Sequence, residues 1–191
     1  VKNSRSGVRI IGGRWRGTRI QVADRDGLRP SSDRVRETLF NWLAPRIVGA
    51  RCLDLFAGSG VLGFEALSRG AAAATLIEND ATLYAGLEAL KGRLQASTAD
   101  IVLANSKRWL TNPPHPFDLV FVDPPFASNL LELSLARVHD GWLAPGGLIY
   151  IETQRGNNNF GPAWQIVKSS QTQQVFYALL EKSVARADDV T

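Results

Sequence analysis

The sequence predicts an α/β fold: a mainly parallel sheet covered by helices on both faces, closed by an antiparallel hairpin and preceded by a small basic β-hairpin extension. Three observations carry this reading. From about residue 50 onward, short apolar runs alternate with helical stretches, the pattern of right-handed βαβ units. The last two runs, Trp164 to Lys168 and Val175 to Leu180, are separated by a polar Ser-Gln-Thr-Gln turn and should pair antiparallel. Basic residues crowd one end: residues 1–51 hold 12 Lys and Arg against 4 Asp and Glu, whereas residues 52–191 hold 10 against 14. A chain of 191 residues suffices for one well-packed domain with an appendage and falls short of two. The expected division is a basic extension over 1–45 and a sheet domain over 46–191.

Taken in order, Arg9-Ile10-Ile11 and Arg14 to Val22 read as two short strands around a Gly12-Gly13 turn. Trp15 in this hairpin is expected to pack against its own domain rather than to stack on a base. After Pro30, Ser31, Ser32 and Asp33 offer N-cap oxygens. Val35, Leu39, Trp42 and Leu43 then recur at helical spacing until Pro45, on a helix expected to expose Arg34 and Arg36. The strand-like runs of the sheet are Cys52 to Phe56, Thr75 to Glu78, Ile101 to Leu103, Leu119 to Val122 and Leu148 to Glu152, with helical pieces between them. Residues 156–162 form a loop rich in Asn and Gly to which no role is assigned.

Composition narrows the function classes. No stretch approaches the roughly 18 apolar residues of a membrane span, and Val1-Lys2-Asn3-Ser4-Arg5 lacks the apolar core of a secretory signal, so a cytoplasmic protein with no membrane partner is expected. Cys52 is the single cysteine, flanked by apolar residues as a buried strand residue would be; His115 and His139 are too scattered to form a ligand set, and no metal site is expected. Clustered arginine at one end is the footprint of phosphate contact, with Arg14, Arg16, Arg19, Arg29, Arg34 and Arg36 as the candidates.

Two motifs carry chemistry. Asp54-Leu55-Phe56-Ala57-Gly58-Ser59-Gly60 should lead from the first sheet strand into a helix near Val61, where absent β-carbons let backbone amides approach a ligand. Twenty residues past Gly58, Glu78 ends the next strand, where a carboxylate can accept from both ribose hydroxyls of a nucleoside. Gly58, Gly60 and Gly63 also satisfy G-x-G-x-x-G, so this segment alone fits a nicotinamide enzyme as well as an S-adenosylmethionine enzyme. The second motif, Asp123-Pro124-Pro125-Phe126, follows the fourth strand and should face the same cleft. An exocyclic base amine has its lone pair delocalised into the ring and needs acceptors for both its hydrogens before it attacks a methyl group. The Asp123 carboxylate and the Pro124 carbonyl supply two acceptors, consecutive prolines fix the backbone, and Phe126 offers a ring on which an extruded base can stack.

Asp54 to Gly60, Glu78 and Asp123 to Phe126 resemble the class I S-adenosylmethionine-dependent methyltransferases that modify exocyclic amines. With the segments Arg9 to Gly17 and Arg29 to Asn41 added, nearly the whole chain resembles the bacterial RsmD-type 16S rRNA guanine-N2 methyltransferases. The resemblance implies a Rossmann-like, seven-stranded, mostly parallel sheet with a C-terminal antiparallel hairpin and an N-terminal β-hairpin extension. It further implies S-adenosyl-L-methionine as cofactor and, as target, a guanine in 16S rRNA of the assembled small ribosomal subunit; a monomer is expected. It places Asp54, Gly58 and Gly60 around the methionine part of the cofactor and Glu78 on its ribose, with Phe56, Ala57 and Ser59 completing the loop. Asn105, where many relatives carry Asp, would reach the adenine edge beside Ser106. Asn79 would contribute next to Glu78, whereas Asp80 is expected to cap a helix.

In this reading Asp123 and Pro124 orient the amine for direct in-line transfer, and the proton leaves to Asp123 or solvent. An adenine-N6 methyltransferase acting on DNA or RNA would use the same acceptors. A glutamine-modifying protein methyltransferase would carry Asn at position 123, a nicotinamide oxidoreductase would leave residues 123–126 unexplained, and a non-catalytic RNA-binding module would need only the basic end.

Overall fold

The computed structural model describes residues 7–21, 32–125 and 129–183. The chain runs through β1 (Gly7–Arg9), β2 (Arg19–Gln21), α1 (Asp33–Leu43), β3 (Arg51–Asp54), α2 (Val61–Ser68), β4 (Ala73–Glu78), α3 (Ala81–Leu94) and β5 (Ala99–Leu103). It continues through α4 (Ser106–Trp109), β6 (Phe117–Val122), α5 (Leu130–Arg137), β7 (Leu143–Gln154), β8 (Trp164–Gln171) and β9 (Val175–Lys182). Strands β3 to β9 form one seven-stranded sheet in the order β5-β4-β3-β6-β7-β9-β8. β3, β4, β5, β6 and β7 pair in parallel, while β9 lies antiparallel to both β7 and β8. All seven expected runs of the sheet are strands, and the closing pair is the expected antiparallel hairpin. The chain winds outward from β3 through β4 to β5, then returns across to β6. This reversal of strand order leaves an opening between β3 and β6 at their carboxyl ends.

Helices cover both faces because the central strands are apolar on both. One core layer joins Leu39, Phe40, Phe64, Leu76, Leu87 and Phe121; the other joins Leu53, Ile77, Val120, Leu135, Ile149 and Ala178. Cys52 is fully buried in the first layer, and burial, followed by the nearby charges of Asp118 and Asp54, pushes its thiol up to about 12. It behaves as a small apolar residue. Helix α1 begins where the Ser32 hydroxyl accepts from the Val35 amide at 3.3 Å, and it buries Val35, Leu39, Phe40 and Leu43. Each buried side chain of this size contributes about 1.5–3 kcal/mol.

The amino-terminal segment departs from the expected tight hairpin. β1 and β2 do pair antiparallel, but Gly12-Gly13 is no two-residue turn, and Arg14 to Trp15 lie in a short 3-10 turn over Gly13–Trp15 rather than in a strand. The reason is α2. The Ile11 and Gly12 amides donate to the Glu65 carboxylate at 2.7 and 2.8 Å, the Trp15 amide donates to the Ser68 hydroxyl at 3.0 Å, and that hydroxyl donates to the Gly12 carbonyl at 2.6 Å. Gly13, at φ +75°, lies so close to the Ser68 backbone that a side chain there would collide with it. Trp15 packs edge-on to Phe64 at 6.5 Å, in keeping with the packing role expected for it, and the Arg14 guanidinium covers its ring at 4.0 Å.

Arg36 requires a second correction. Expected on the exposed side of α1, it is completely buried. Its guanidinium donates to the Asp33 carboxylate at 2.6 Å and to the Arg9 carbonyl at 2.9 Å, and stands 3.7 Å from Glu65. It occupies the apolar stripe of α1, one turn before Leu39 and Phe40, and joins that helix to α2 and β1. It is therefore withdrawn from the phosphate-contact set.

Candidate active site

At the carboxyl ends of β3, β4, β6 and β7 lies a cleft of about 1280 Å³. Its floor begins at Asp54, the last residue of β3. From there the chain is held against both neighbouring strands: the Leu55 amide donates to the Phe121 carbonyl at 3.1 Å, and the Ala57 amide to the Ile77 carbonyl at 3.0 Å. Gly58 and Gly60 take φ of +53° and +76°, the left-handed region in which glycine carries no steric cost. Gly60 caps α2, and Gly63 inside that helix meets β4 so closely that an added β-carbon would lie 2.9 Å from the Leu76 side chain. Helix and strand thus pack tightly behind the loop, the role expected of the third glycine in such a motif.

Glu78 ends β4 and bonds outward on both oxygens. The Gly58 amide donates to one at 2.8 Å and the Asp80 amide to the other at 2.8 Å. This carboxylate therefore orders the glycine loop while lining the cleft. Asp80 accepts from the Thr82 and Leu83 amides at 2.8 and 3.0 Å, the expected capping role. Asn105 lines the cleft as expected, but its side-chain oxygen also caps α4, accepting from the Lys107 and Arg108 amides at 3.1 and 3.3 Å. Phe56, Ala57, Ser59, Asn79 and Ser106 line the same half, and Ile77, Leu83 and Ala104 give it apolar walls.

The other half is built from β6, β7, β9 and α1. Asp123, Pro124 and Pro125 line it; Phe126 and Arg29 lie outside the described residues. Four contributors escape the motif reading: Glu152 near the end of β7, Tyr177 on β9, the polar stretch Ser170 to Gln174 that closes β8 and turns into β9, and Ser32 and Thr38 of the α1 segment. Among the described arginine candidates, only Arg34 reaches the cleft. Arg14, Arg16 and Arg19 stand exposed on the amino-terminal segment outside it.

Electrostatically the cleft is acidic. Burial raises the Asp54 carboxyl to about 7, against opposing bonds from the Gly63 and Phe56 amides and with a further push from Glu78. The Gly63 bond is 3.3 Å long. Burial, then Glu152 and Asp54, hold the Asp123 carboxyl well above the usual carboxylate range. Such a site favours a ligand that brings positive charge or several hydrogen-bond donors.

Known proteins share this architecture. Two curated relatives carry the name ribosomal RNA small subunit methyltransferase D. The one from Escherichia coli (strain K12) is 47% identical over 185 residues, covering 95% of this chain and 93% of that protein. The one from Haemophilus influenzae is 44% identical over 186 residues, covering 94% and 96%. The solved structure of yhhF from Escherichia coli matches with a TM-score of 0.85 at 47% identity, covering 93% of this chain and 98% of that one. Residues 8–181 also match the family model described as Conserved hypothetical protein 95. The chain belongs to this family, the RsmD-type methyltransferases.

Proposed function

We propose that this chain transfers a methyl group from S-adenosyl-L-methionine to the exocyclic N2 of a guanine in 16S rRNA, with the assembled small ribosomal subunit as substrate. The observation that carries the reading is a single cleft with two chemically different halves, a glycine loop with Glu78 and Asp54 on one side and Asp123-Pro124 on the other. The relatives' names supply the rRNA substrate, and the guanine follows from the resemblance of the arginine-rich amino-terminal segments.

The residues of the first half fit the cofactor. The left-handed backbone at Gly58 and at Gly60 admits a ligand close to the main chain, Ile77, Leu83 and Ala104 offer apolar contact to an adenine, and Asn79, Asn105 and Ser106 offer polar edges. Glu78 would hold the ribose, since a carboxylate has about four acceptor positions and its two amide bonds leave capacity for hydroxyls. Asp54 would balance the positive charge of the methionine part. The cofactor supplies an electrophilic methyl group, so the attacking amine needs alignment more than a strong base. Asp123 and the Pro124 carbonyl accept its two hydrogens and turn its remaining lone pair toward the methyl. Asp123 or solvent then takes the proton.

In this reading residues 1–45 form the RNA-contacting extension and 46–191 the catalytic domain. Arg14, Arg16, Arg19 and Arg34 contact phosphate. The described residues contain no helix long and apolar enough to cross a membrane; we place the protein in the cytoplasm, acting as a monomer. Labelled methyl transfer to unmodified small subunits, with naked 16S rRNA in parallel and nucleoside analysis of the product, tests the function. N2-methylguanosine is the expected product, and N6-methyladenosine in its place would replace the target base.

A further inference from the structure

The wall of the cleft holds a second carboxylate beside Asp123. β6 and β7 run parallel and in register, with Val122 opposite Ile151. Asp123 directly follows β6 and Glu152 directly follows Ile151 on β7, and the two are near enough that the Glu152 charge acts on the Asp123 carboxyl. Glu152 lines the cleft although only 5% exposed, and one of its oxygens accepts from the Tyr150 hydroxyl at 2.6 Å. The surrounding groups are Asp123 from the end of β6, Asp54 from β3, Tyr177 paired opposite on β9, and Arg34 of α1 at the cleft wall. Burial and the Glu152 charge keep the Tyr150 hydroxyl protonated, as a donor that fixes how the carboxylate points.

Resting on the methyl transfer proposed above, we infer that Glu152 is a specificity-determining residue that accepts the N1–H of the target base, so that the cleft takes guanine and rejects the other amino bases. The Watson–Crick edge of guanine presents three donors, N1–H and the two hydrogens of N2. The wall presents matching acceptors in Glu152, the Asp123 carboxylate and the Pro124 carbonyl. Adenine and cytosine also offer an amine with two hydrogens, but their adjacent ring nitrogen carries a lone pair. In the cleft that lone pair would face the Glu152 carboxylate, acceptor against acceptor. The amine motif alone would serve either base, and the carboxylate next to it supplies the discrimination.

Small subunits assembled on 16S rRNA with guanine or 2-aminopurine at the methylated position test this. 2-Aminopurine keeps the C2 amine and replaces N1–H by a lone pair. The wild-type protein should prefer guanine by roughly 100-fold or more in kcat/KM, as sites built around a hydrogen bond do. Glu152→Gln, whose amide can donate to N1, should lose at least about tenfold of that preference while calorimetry shows unchanged S-adenosylmethionine affinity. An unchanged preference, or equal losses on both bases, would overturn the inference. Should Glu152→Gln fail to bind cofactor, Tyr150→Phe decides: it removes only the orienting donor and should reduce the preference a few-fold, and an unaltered ratio would overturn the inference. If the wild-type protein makes no N2-methylguanosine on guanine subunits, the proposed function itself fails, a result distinct from either variant outcome.

Discussion

Replacing Glu65 by Gln should both destabilise the protein and loosen its grip on RNA. Glu65 is fully buried in α2, and its carboxylate gathers four groups: the Ile11 and Gly12 amides, the Arg69 guanidinium at 2.7 Å and the equally buried Arg36 at 3.7 Å. Gln preserves the volume, so no cavity term enters. It removes the charge facing Arg36 and turns one acceptor into a donor aimed at donors. Breaking a buried ion pair costs about 3–5 kcal/mol. Arg36 keeps the Asp33 carboxylate at 2.6 Å, and Arg69 is 19% exposed, so the low end of that range applies. A loss of about 3 kcal/mol is expected, a large part of the roughly 5–15 kcal/mol that stabilises a typical domain. Urea unfolding followed by tryptophan fluorescence measures it. Because Glu65 holds the segment carrying Arg14 and Arg16, affinity for small subunits should fall while S-adenosylmethionine affinity is retained. A destabilisation below about 1 kcal/mol would show that Glu65 is not the clamp and that the segment is held chiefly by its apolar contacts.

Asp123→Ala should lower turnover by orders of magnitude with cofactor affinity nearly unchanged; single-turnover transfer and calorimetry separate the two, and normal turnover would remove Asp123 from the chemistry. Glu78→Ala should weaken cofactor binding, since it removes the proposed ribose acceptor and releases the Gly58 and Asp80 amides, and undiminished affinity in a titration would exclude Glu78 from the site. Asp54 binds its proton more tightly folded, near pH 7, than unfolded, near 3.8, so its contribution to stability is complete below pH 3.8 and is lost as the pH rises toward 7. Asp54→Asn should therefore flatten the fall in stability across that window in the cofactor-free protein, and an unaltered pH profile would contradict the assignment. A triple Arg14, Arg16 and Arg19 to Ala variant should bind small subunits more weakly and with a shallower salt dependence, because each neutralised phosphate releases counterions; slopes equal to wild type would place the RNA elsewhere.

Most of the sheet was legible in the sequence because its signals are local. Residues such as Leu119 to Val122 form a parallel strand buried on both faces and read as an unbroken apolar run. Asp54 to Gly60 and Glu78 announce themselves by a fixed spacing. What sequence reading missed depends on partners far along the chain. The conformation of Gly12 to Trp15 is set by Glu65 and Ser68, more than fifty residues away, so a glycine pair that favours a tight turn in isolation is drawn instead onto a helix. Arg36 reads as a surface charge by its chemistry, yet positions 36, 39, 40 and 43 share one face of α1, and that spacing marks it as inward-facing. Glu152 was available by the same logic that found Glu78, as an acidic residue closing an apolar strand. Its significance depends on β7 lying beside β6, and pairing order is not a local property.

The charge distribution also explains how one small chain can handle a polyanion with an acidic active site. Asp54, Glu78, Asp123 and Glu152 line the cleft and would repel a phosphate. Exposed arginines stand outside it, on the amino-terminal segment and on α1 at its wall. A nucleic acid strand approaching such a surface is held by its backbone at the periphery, and the part that enters is the part without charge, the base. The same acidic interior favours a cofactor carrying positive charge over one carrying phosphates, which counts against a dinucleotide despite the matching glycine spacing. Separation of sign thus divides rim from interior: phosphates stay with the arginines outside, and in the proposed function the cationic cofactor lies against Asp54 and Glu78 while a base rich in donors lies against Asp123 and Glu152.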